Sequence, residues 1–263
     1  MNTTRLLLVF GMIMSLTIGV SAQVKKTTTT PSKPTGKVMA KPATTSSAKP
    51  GAKTVVKKDS TMVNATDNVG ATKVKITTDM GVIVVRLYDA TPKHRDNFIK
   101  LVKEGFYDSL LFHRVIQNFM IQGGDPMSKN AAAGAMLGMG GGDMERIPAE
   151  FNSKLNHIKG ALAAARDGNA AKASSACQFY IVQGNIISDP ELDAMEQQKG
   201  IKYTAAQRVA YKKRGGTPFL DMEYTVFGEV ILGLDVIDKI AASPGNGYNR
   251  PNKDISMKME LMP

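Results

Sequence analysis

Two polar side chains in one apolar stretch, Arg114 and Gln122, are the residues whose types and spacing first point to chemistry. The stretch from Leu111 to Pro126 reads L-F-H-R-V-I-Q-N-F-M-I-Q-G-G-D-P. An arginine among β-forming apolar residues must either form an internal ion pair or face a ligand, because burying an unpaired guanidinium is very costly. Gly123-Gly124-Asp125-Pro126 ends the run with residues typical of turns. The pattern predicts two strands that line one pocket, and leaves a structural ion pair for Arg114 as the alternative.

The order F-H-R-V-I-Q-N-F-M-I-Q-G-G-D-P in this stretch resembles the signature of the cyclophilin family of peptidyl-prolyl cis-trans isomerases. Two further blocks carry the resemblance, which extends from Lys73 to the C-terminus: Gly160–Arg166 with Gln178–Ile181, and Phe219–Asp221 with Tyr224–Gly228. It implies a mainly β fold, a closed eight-stranded antiparallel barrel capped by two helices. A helical insert at about residues 189–216 is not part of the family's core. Within it, Asp189-Pro190-Glu191 is expected to begin a first helix, and Thr204 and Gln207 have the capping-box spacing of a second one.

In cyclophilins these blocks line a shallow groove that holds a proline-containing peptide. By position, the resemblance makes Arg114 the catalytic arginine and Gln122 the groove glutamine. The implied substrate-binding residues are Phe119, Met120, Tyr180 and Leu220 in the proline pocket, Phe219 and Tyr224 at its edge, Ala165 and Arg166 as backbone partners of the peptide, and Gln178. The chain has phenylalanine at 219 and tyrosine at 224, where many eukaryotic members have tryptophan and histidine.

Arginine suits the implied reaction for a direct physical reason. The peptide bond has partial double-bond character and a rotation barrier of about 18–20 kcal/mol. In the twisted state the nitrogen becomes pyramidal and regains a lone pair, which a fixed guanidinium can stabilise. No proton transfer, metal or cofactor is required. The neighbouring His113 is expected to be a hydrogen-bonded structural histidine, not a base.

Charge is distributed unevenly along the 263 residues, whose formal net charge is +11. Ten of the 34 basic residues but only 2 of the 23 acidic residues precede Lys73, so that segment carries +8 and the remainder +3. The segment has no aromatic side chain after residue 22 on which a base could stack, which argues against nucleic-acid binding. The single cysteine, Cys177, excludes an internal disulfide and a multi-cysteine metal site.

The N-terminus has the composition of an export signal. Arg5 precedes an uncharged apolar run from Leu6 to Val20, and Val20-Ser21-Ala22 resembles a small-residue cleavage site. We expect a signal peptide at 1–22, cleaved after Ala22, with export to the periplasm or secretion and no stable membrane insertion afterwards. The alternative is retention at the membrane by an uncleaved signal. Residues 23–72, rich in lysine, threonine and proline, are expected to form a disordered linker.

From Lys73 to the C-terminus the sequence predicts one folded domain (73–263). Val74 and Ile76 alternate with polar residues and begin a hairpin, and Thr91-Pro92 begins a helix. The Gly/Ala/Met-rich segment 130–142 lacks the lysine of a phosphate-binding loop and is interpreted as a surface loop.

Two functions from different classes fit these features. The first is an isomerase that accelerates rotation about X-Pro bonds in unfolded or extended exported polypeptides, acting as a monomer. The second is a proline-peptide binding module or holdase, with catalysis incidental. Loss of turnover with retained peptide binding on replacement of Arg114 would separate them.

Overall fold

The computed structural model describes residues 72–263. The expected signal peptide (1–22) and linker (23–72) lie outside the described residues, apart from Thr72 at the end of the linker. Within the described part, no helix is both long and apolar enough to cross a membrane.

The chain enters the domain through the antiparallel hairpin that the sequence predicts. Strand β1 is Lys73–Thr78 and strand β2 is Gly81–Leu87. Alternation in β1 buries Val74 and Ile76 completely, because successive side chains of a strand point to opposite faces. Helix α1 (Pro92–Lys103) follows, with proline in its first turn and Thr91 as its N-cap residue.

The remaining elements follow in chain order. The other strands are β3 (Arg114–Ile116), β4 (Met120–Gly123), β5 (Ala161–Ala164), β6 (Phe179–Val182), β7 (Val226–Leu232) and β8 (Lys258–Met262). The other α-helices are α2 (Asp189–Lys199), α3 (Ala205–Arg214) and α4 (Leu234–Ala241). Short 3-10 turns lie at Pro126–Ser128 and Pro218–Leu220.

The eight strands form one antiparallel sheet in the order β3-β4-β6-β5-β7-β2-β1-β8. The prediction of a closed barrel is wrong for this sheet, since the edge strands β3 and β8 do not pair with each other. Irregular backbone joins the two edges instead: the amide of Ser109 donates to Met257 O, that of Met257 to Leu110 O and that of Phe112 to Ile255 O, each at 2.9 Å. Strand β3 has three residues, and Ser109 has a positive φ of 68°. A regular strand therefore cannot continue along this edge.

Two helices pack on the sheet and two form the insert. Side chains from α1 and α4, such as Phe98 and Ile237, belong to the main core with those of the strands. Helices α2 and α3 have a separate small core that includes Leu192 and Tyr211. The two helices expected between residues 189 and 216 are thus present. The second begins with the predicted capping box between Thr204 and Gln207.

The turn after β4 requires glycine, which gives a test of this part of the fold. Gly124 has a φ of +91°, and a Cβ there would collide with the backbone carbonyl of Cys177. We expect Gly124→Ala to lower the free energy of unfolding by about 2 kcal/mol or more, measured by urea denaturation. Gly168→Ala is the matched control, because its Cβ would meet no atom within 4 Å. An equal loss in both variants would contradict this account of the turn.

Candidate active site

Arg114 and Gln122 face each other across the pair β3–β4. The register places the two residues directly opposite, and Arg114 Nη1 donates a 3.0 Å hydrogen bond to Gln122 Oε1. The guanidinium carbon lies 5.9 Å from the centre of the Phe119 ring. The structural ion pair considered as an alternative for Arg114 is not found among residues 72–263, where its hydrogen-bond partner is a neutral amide.

Two glutamines connect this arginine to the loop at 130–142. Gln122 Nε2 donates to Gln178 Oε1 at 3.1 Å. Gln178 Nε2 in turn donates to the carbonyl oxygens of Gly138 and Gly140, at 3.0 and 2.9 Å. The orientation of each amide is therefore fixed by its neighbour. Gln178, expected to bind substrate, thus also holds Gln122 and the surface loop in place.

The electrostatic state of Arg114 follows from its partial burial. Desolvation lowers the pKa of the guanidinium from its ordinary value, but arginine remains protonated in proteins at working pH. A half-buried cation is thus held by an amide oxygen, and no carboxylate of residues 72–263 neutralises it. Its remaining N–H groups can donate to a developing lone pair or an oxygen beside it.

An apolar cluster separate from the main core lies beside this pair. Met120, Tyr180 and Leu220 are buried at 1%, 5% and 8% exposure. Most of the residues predicted for the proline pocket and its edge belong to this cluster, namely Phe119, Met120, Tyr180, Leu220 and Tyr224. Ala165 and Val182 are among its other members. The structure therefore brings together residues separated by more than 100 positions in the sequence.

Aromatic and cationic side chains form the rim of this cluster. Phe219 is 50% exposed and its ring centre lies 5.7 Å from that of Phe119. The Arg166 guanidinium lies 4.5 Å from the centre of the Tyr224 ring. Tyr224 contacts Tyr180 edge-on at 5.9 Å. The exposed Phe219 and the stacked Arg166 bound the cluster on its solvent side.

The backbone polar groups of Ala165 form hydrogen bonds within the protein. Its amide donates to Gln178 O at 2.9 Å, and its carbonyl accepts from Ser175 N at 2.8 Å. The Ala165 amide is therefore not free to bind a peptide, and this residue contributes its side chain to the apolar cluster. The Arg166 side chain is likewise used, since its Nε donates to Glu223 O at 3.1 Å.

An open pocket of about 210 Å³ lies beside Gln122 and Gln178. Its walls include the glycines of 138–142, Met144, and an ion pair between Arg146 and Asp167. The pocket shares Gln122 and Gln178 with the hydrogen-bonded chain that holds Arg114.

His157 and Asp221 lie next to the site, although the sequence analysis assigned neither residue a role. His157 Nε2 lies 3.0 Å from the Tyr180 hydroxyl, and His157 Nδ1 lies 2.8 Å from Asp221 Oδ1. These residues are 64 positions apart, and no local pattern links them. The one available signal was the position of Asp221, a carboxylate directly after the pocket residue Leu220.

Among residues 72–263 there is no group of three or more His, Cys, Asp or Glu side chains that could hold a metal ion. What the site does offer is a fixed cation beside an apolar cluster.

His113, next to Arg114, is buried at 2% exposure. Neither of its ring nitrogens has a hydrogen-bond partner among the described residues. The ring is therefore buried without the hydrogen bonds that the sequence analysis expected for it. Burial lowers the pKa of His113 to about 4 from 6.5.

This shift gives a testable pH dependence. The pKa of His113 is lower in the folded protein than in the unfolded chain, so the unfolded chain binds the proton first as the pH falls. The contribution of the neutral His113 to the free energy of unfolding is therefore fully present above pH 6.5 and is lost as the pH falls toward 4. We expect the wild type to lose about 3 kcal/mol more than His113→Phe between pH 7 and pH 4. Urea unfolding at a series of pH values measures this difference. Parallel pH profiles for the two proteins would contradict it.

Comparison with known proteins shows to which family the chain is related. The family model for cyclophilin type peptidyl-prolyl cis-trans isomerase/CLD matches residues 73–260. A Staphylococcus saprophyticus protein named as a peptidyl-prolyl cis-trans isomerase is 34% identical over 198 residues, covering 74% of this chain and 93% of that protein. A Streptococcus pyogenes protein named as a bifunctional phosphatase/peptidyl-prolyl cis-trans isomerase is 37% identical over 188 residues; the match covers 70% of this chain but only 37% of that longer protein.

Solved structures show the same fold. A cyclophilin type isomerase of Cryptosporidium parvum superposes with a TM-score of 0.55 at 24% identity, covering 73% of this chain and 98% of that chain. The family model covers more than half of the chain and the Staphylococcus saprophyticus protein is 34% identical to it, so the chain belongs to the cyclophilin type peptidyl-prolyl cis-trans isomerase family.

Proposed function

We propose that this protein catalyses cis-trans isomerisation of X-Pro peptide bonds in extended or unfolded polypeptides. The observation that carries the proposal is the half-buried Arg114, held by Gln122 beside an apolar pocket and without a carboxylate partner in the described part of the chain. A cation in that position has donors available for the substrate.

The groove catalyses the rotation by holding the proline ring and the rest of the peptide at separate places. The proline ring enters the apolar cluster formed by Met120, Tyr180 and Leu220, with Phe119 and Phe219 at its rim. Arg114 lies next to the prolyl nitrogen, where its N–H groups donate to the lone pair that appears as the amide twists. These donors stabilise the twisted amide more than the planar one, which lowers the rotation barrier.

Gln122 contributes by holding the guanidinium. Its amide oxygen accepts from Arg114 Nη1 and its Nε2 is held by Gln178. The arginine is therefore positioned before substrate binds, and less entropy is lost in reaching the transition state.

Replacement of Arg114 tests this function. We expect Arg114→Ala to lower kcat/KM for a proline-containing test peptide by about 100-fold, the loss typical of a transition-state donor. Arg114→Lys should recover only part of the activity, since lysine lacks the planar fork of donors. A protease-coupled or NMR exchange assay measures the rates.

Lys239→Ala is the control variant, because Lys239 lies on α4 and pairs at the surface with Asp235; its activity should equal that of the wild type. If the wild type is no faster than Arg114→Ala but still binds proline peptides, the protein is a binding module and not an isomerase.

We also propose that the protein is exported, that it assists the folding of other exported proteins, and that it acts as a monomer in the periplasm or outside the cell. The support is the basic, apolar and small-residue pattern of residues 1–22 followed by the lysine- and proline-rich segment 23–72. The basic linker is proposed as a spacer that separates the isomerase domain from the site of export.

Expression of the full chain in a bacterium with a periplasm tests the export proposal. We expect the purified protein to begin at Gln23 by mass spectrometry and to fractionate with periplasmic markers. A variant with Leu7 and Leu8 replaced by arginine should stay in the cytoplasm with its full N-terminus, because charges interrupt the apolar run. A full-length protein in the membrane fraction would support the uncleaved-signal alternative.

A further inference from the structure

A buried carboxylate behind the proline pocket collects hydrogen bonds from two parts of the chain. Asp221 is 1% exposed. Its Oδ1 accepts from the His157 amide at 2.8 Å, and its Oδ2 accepts from the hydroxyls of Tyr203 and Tyr211 at 2.9 and 2.5 Å and from Asn156 Nδ2 at 3.1 Å. A buried carboxylate needs such donors to offset its lost hydration.

These contacts determine the protonation pattern around Asp221. Burial by itself would raise the pKa of Asp221, but the hydrogen bonds from His157 and Tyr211 hold it below its ordinary value. Asp221 is therefore a carboxylate, and its Oδ1 lies 2.8 Å from His157 Nδ1. On the other side of the same ring, His157 Nε2 lies 3.0 Å from the Tyr180 hydroxyl, within hydrogen-bond distance.

The insert supplies the two tyrosines of this arrangement. Tyr203 lies between α2 and α3, and Tyr211 lies on α3. Both pack in the small core of the insert with Ile158, the residue after His157. The backbone joins the same parts: Thr217 N donates to His157 O at 2.8 Å.

The other end of the arrangement is the proline pocket. Tyr180 forms part of the pocket through its ring, and its hydroxyl is directed to His157. Leu220 and Phe219 belong to the 3-10 turn that immediately precedes Asp221. The hydroxyl of Tyr203 also lies 3.4 Å from Pro218 O in that turn. One carboxylate thus connects two separate walls of the pocket with the insert.

We propose that Tyr203, Tyr211, Asp221 and His157 form a positioning network through which the insert sets the shape of the proline pocket. None of the four is assigned a contact with substrate. They act through Tyr180 and through the turn that carries Phe219 and Leu220. The network also engages the Tyr180 hydroxyl in a hydrogen bond with His157, so the pocket presents the ring to the substrate and remains apolar. This inference rests on the proposed function, because it assigns the insert to the same pocket.

The first test removes the hydroxyls and keeps the rings. In the double variant Tyr203→Phe/Tyr211→Phe, Asp221 loses two donors and the walls of the pocket are held less firmly. The pocket binds proline in the planar and the twisted state alike, so we expect KM to rise about five-fold, as for the loss of one net hydrogen bond, with kcat within about two-fold.

Tyr107→Phe is the matched control. Its hydroxyl is buried and donates to Cys177 O at 3.2 Å in the main core, away from the network. We expect it to lower stability by a similar amount and to leave KM unchanged. An unchanged KM in Tyr203→Phe/Tyr211→Phe, or an equal rise in Tyr107→Phe, would overturn the proposal.

The second test asks whether the effect travels through Tyr180. In a Tyr180→Phe background the hydroxyl that joins the pocket to His157 is absent, so the insert substitutions should raise KM distinctly less than in the wild type. Independent, multiplicative effects would show that the insert tyrosines do not act through Tyr180, and would overturn that part of the proposal.

Peptide affinity separates this inference from the proposed function. Calorimetric Kd values for a short proline peptide are measured for the same variants. If the wild type binds but does not accelerate isomerisation, the isomerase proposal fails and the Kd values still decide the positioning role. If the wild type is active and Kd does not follow the insert substitutions, the positioning role alone fails.

Discussion

The site depends on one hydrogen bond between a cation and a neutral amide. Arg114 is half-buried, where an unpaired charge is costly, and a carboxylate partner would offset that cost but also occupy the donors. The amide oxygen of Gln122 takes one donor and orients the guanidinium without neutralising it. The remaining donors stay available to the substrate. Stability and function thus set opposite requirements, and the glutamine meets both.

The second constraint is that the pocket must be apolar although tyrosine forms part of it. The hydroxyl of Tyr180 is directed to His157, whose ring is held by Asp221. Burial raises the pKa of Tyr180 well above its ordinary value, and the nearby Tyr224 and Asp221 raise it further. The phenol therefore stays protonated and its polar atom faces away from the pocket. His157, held by Asp221, binds the hydroxyl behind the pocket, so the surface that the pocket presents to a ligand is apolar.

The sequence predicted the elements whose signals are local. The alternation of Val74 and Ile76, the proline after Thr91 and the capping box of Thr204 each have a structural reason within a few residues, and the structure confirms them. The sequence also allowed the prediction that Arg114 and Gln122 line one pocket, since a short turn between two antiparallel strands brings such residues opposite each other. The family resemblance supplied the groove residues, whose substrate roles stay a prediction.

Long-range features were not accessible in the same way. The closed barrel was expected, but the positive φ of Ser109 and the three-residue β3 replace strand pairing by irregular hydrogen bonds at the edge. The contacts of Asp221 with His157 and Tyr203 join three distant parts of the chain. Such networks depend on how elements pack in three dimensions, and no periodicity of the sequence encodes them.

The most direct test of the central claim is the rate of cis-trans exchange of a proline peptide while it is bound, measured by NMR at saturating peptide for the wild type and Arg114→Ala. If the uncompensated guanidinium stabilises the twisted amide, exchange on the protein slows by about 100-fold in the variant while the Kd of the peptide changes little. Unchanged exchange on the protein together with a weakened Kd would show that Arg114 only binds the peptide, and would contradict this account.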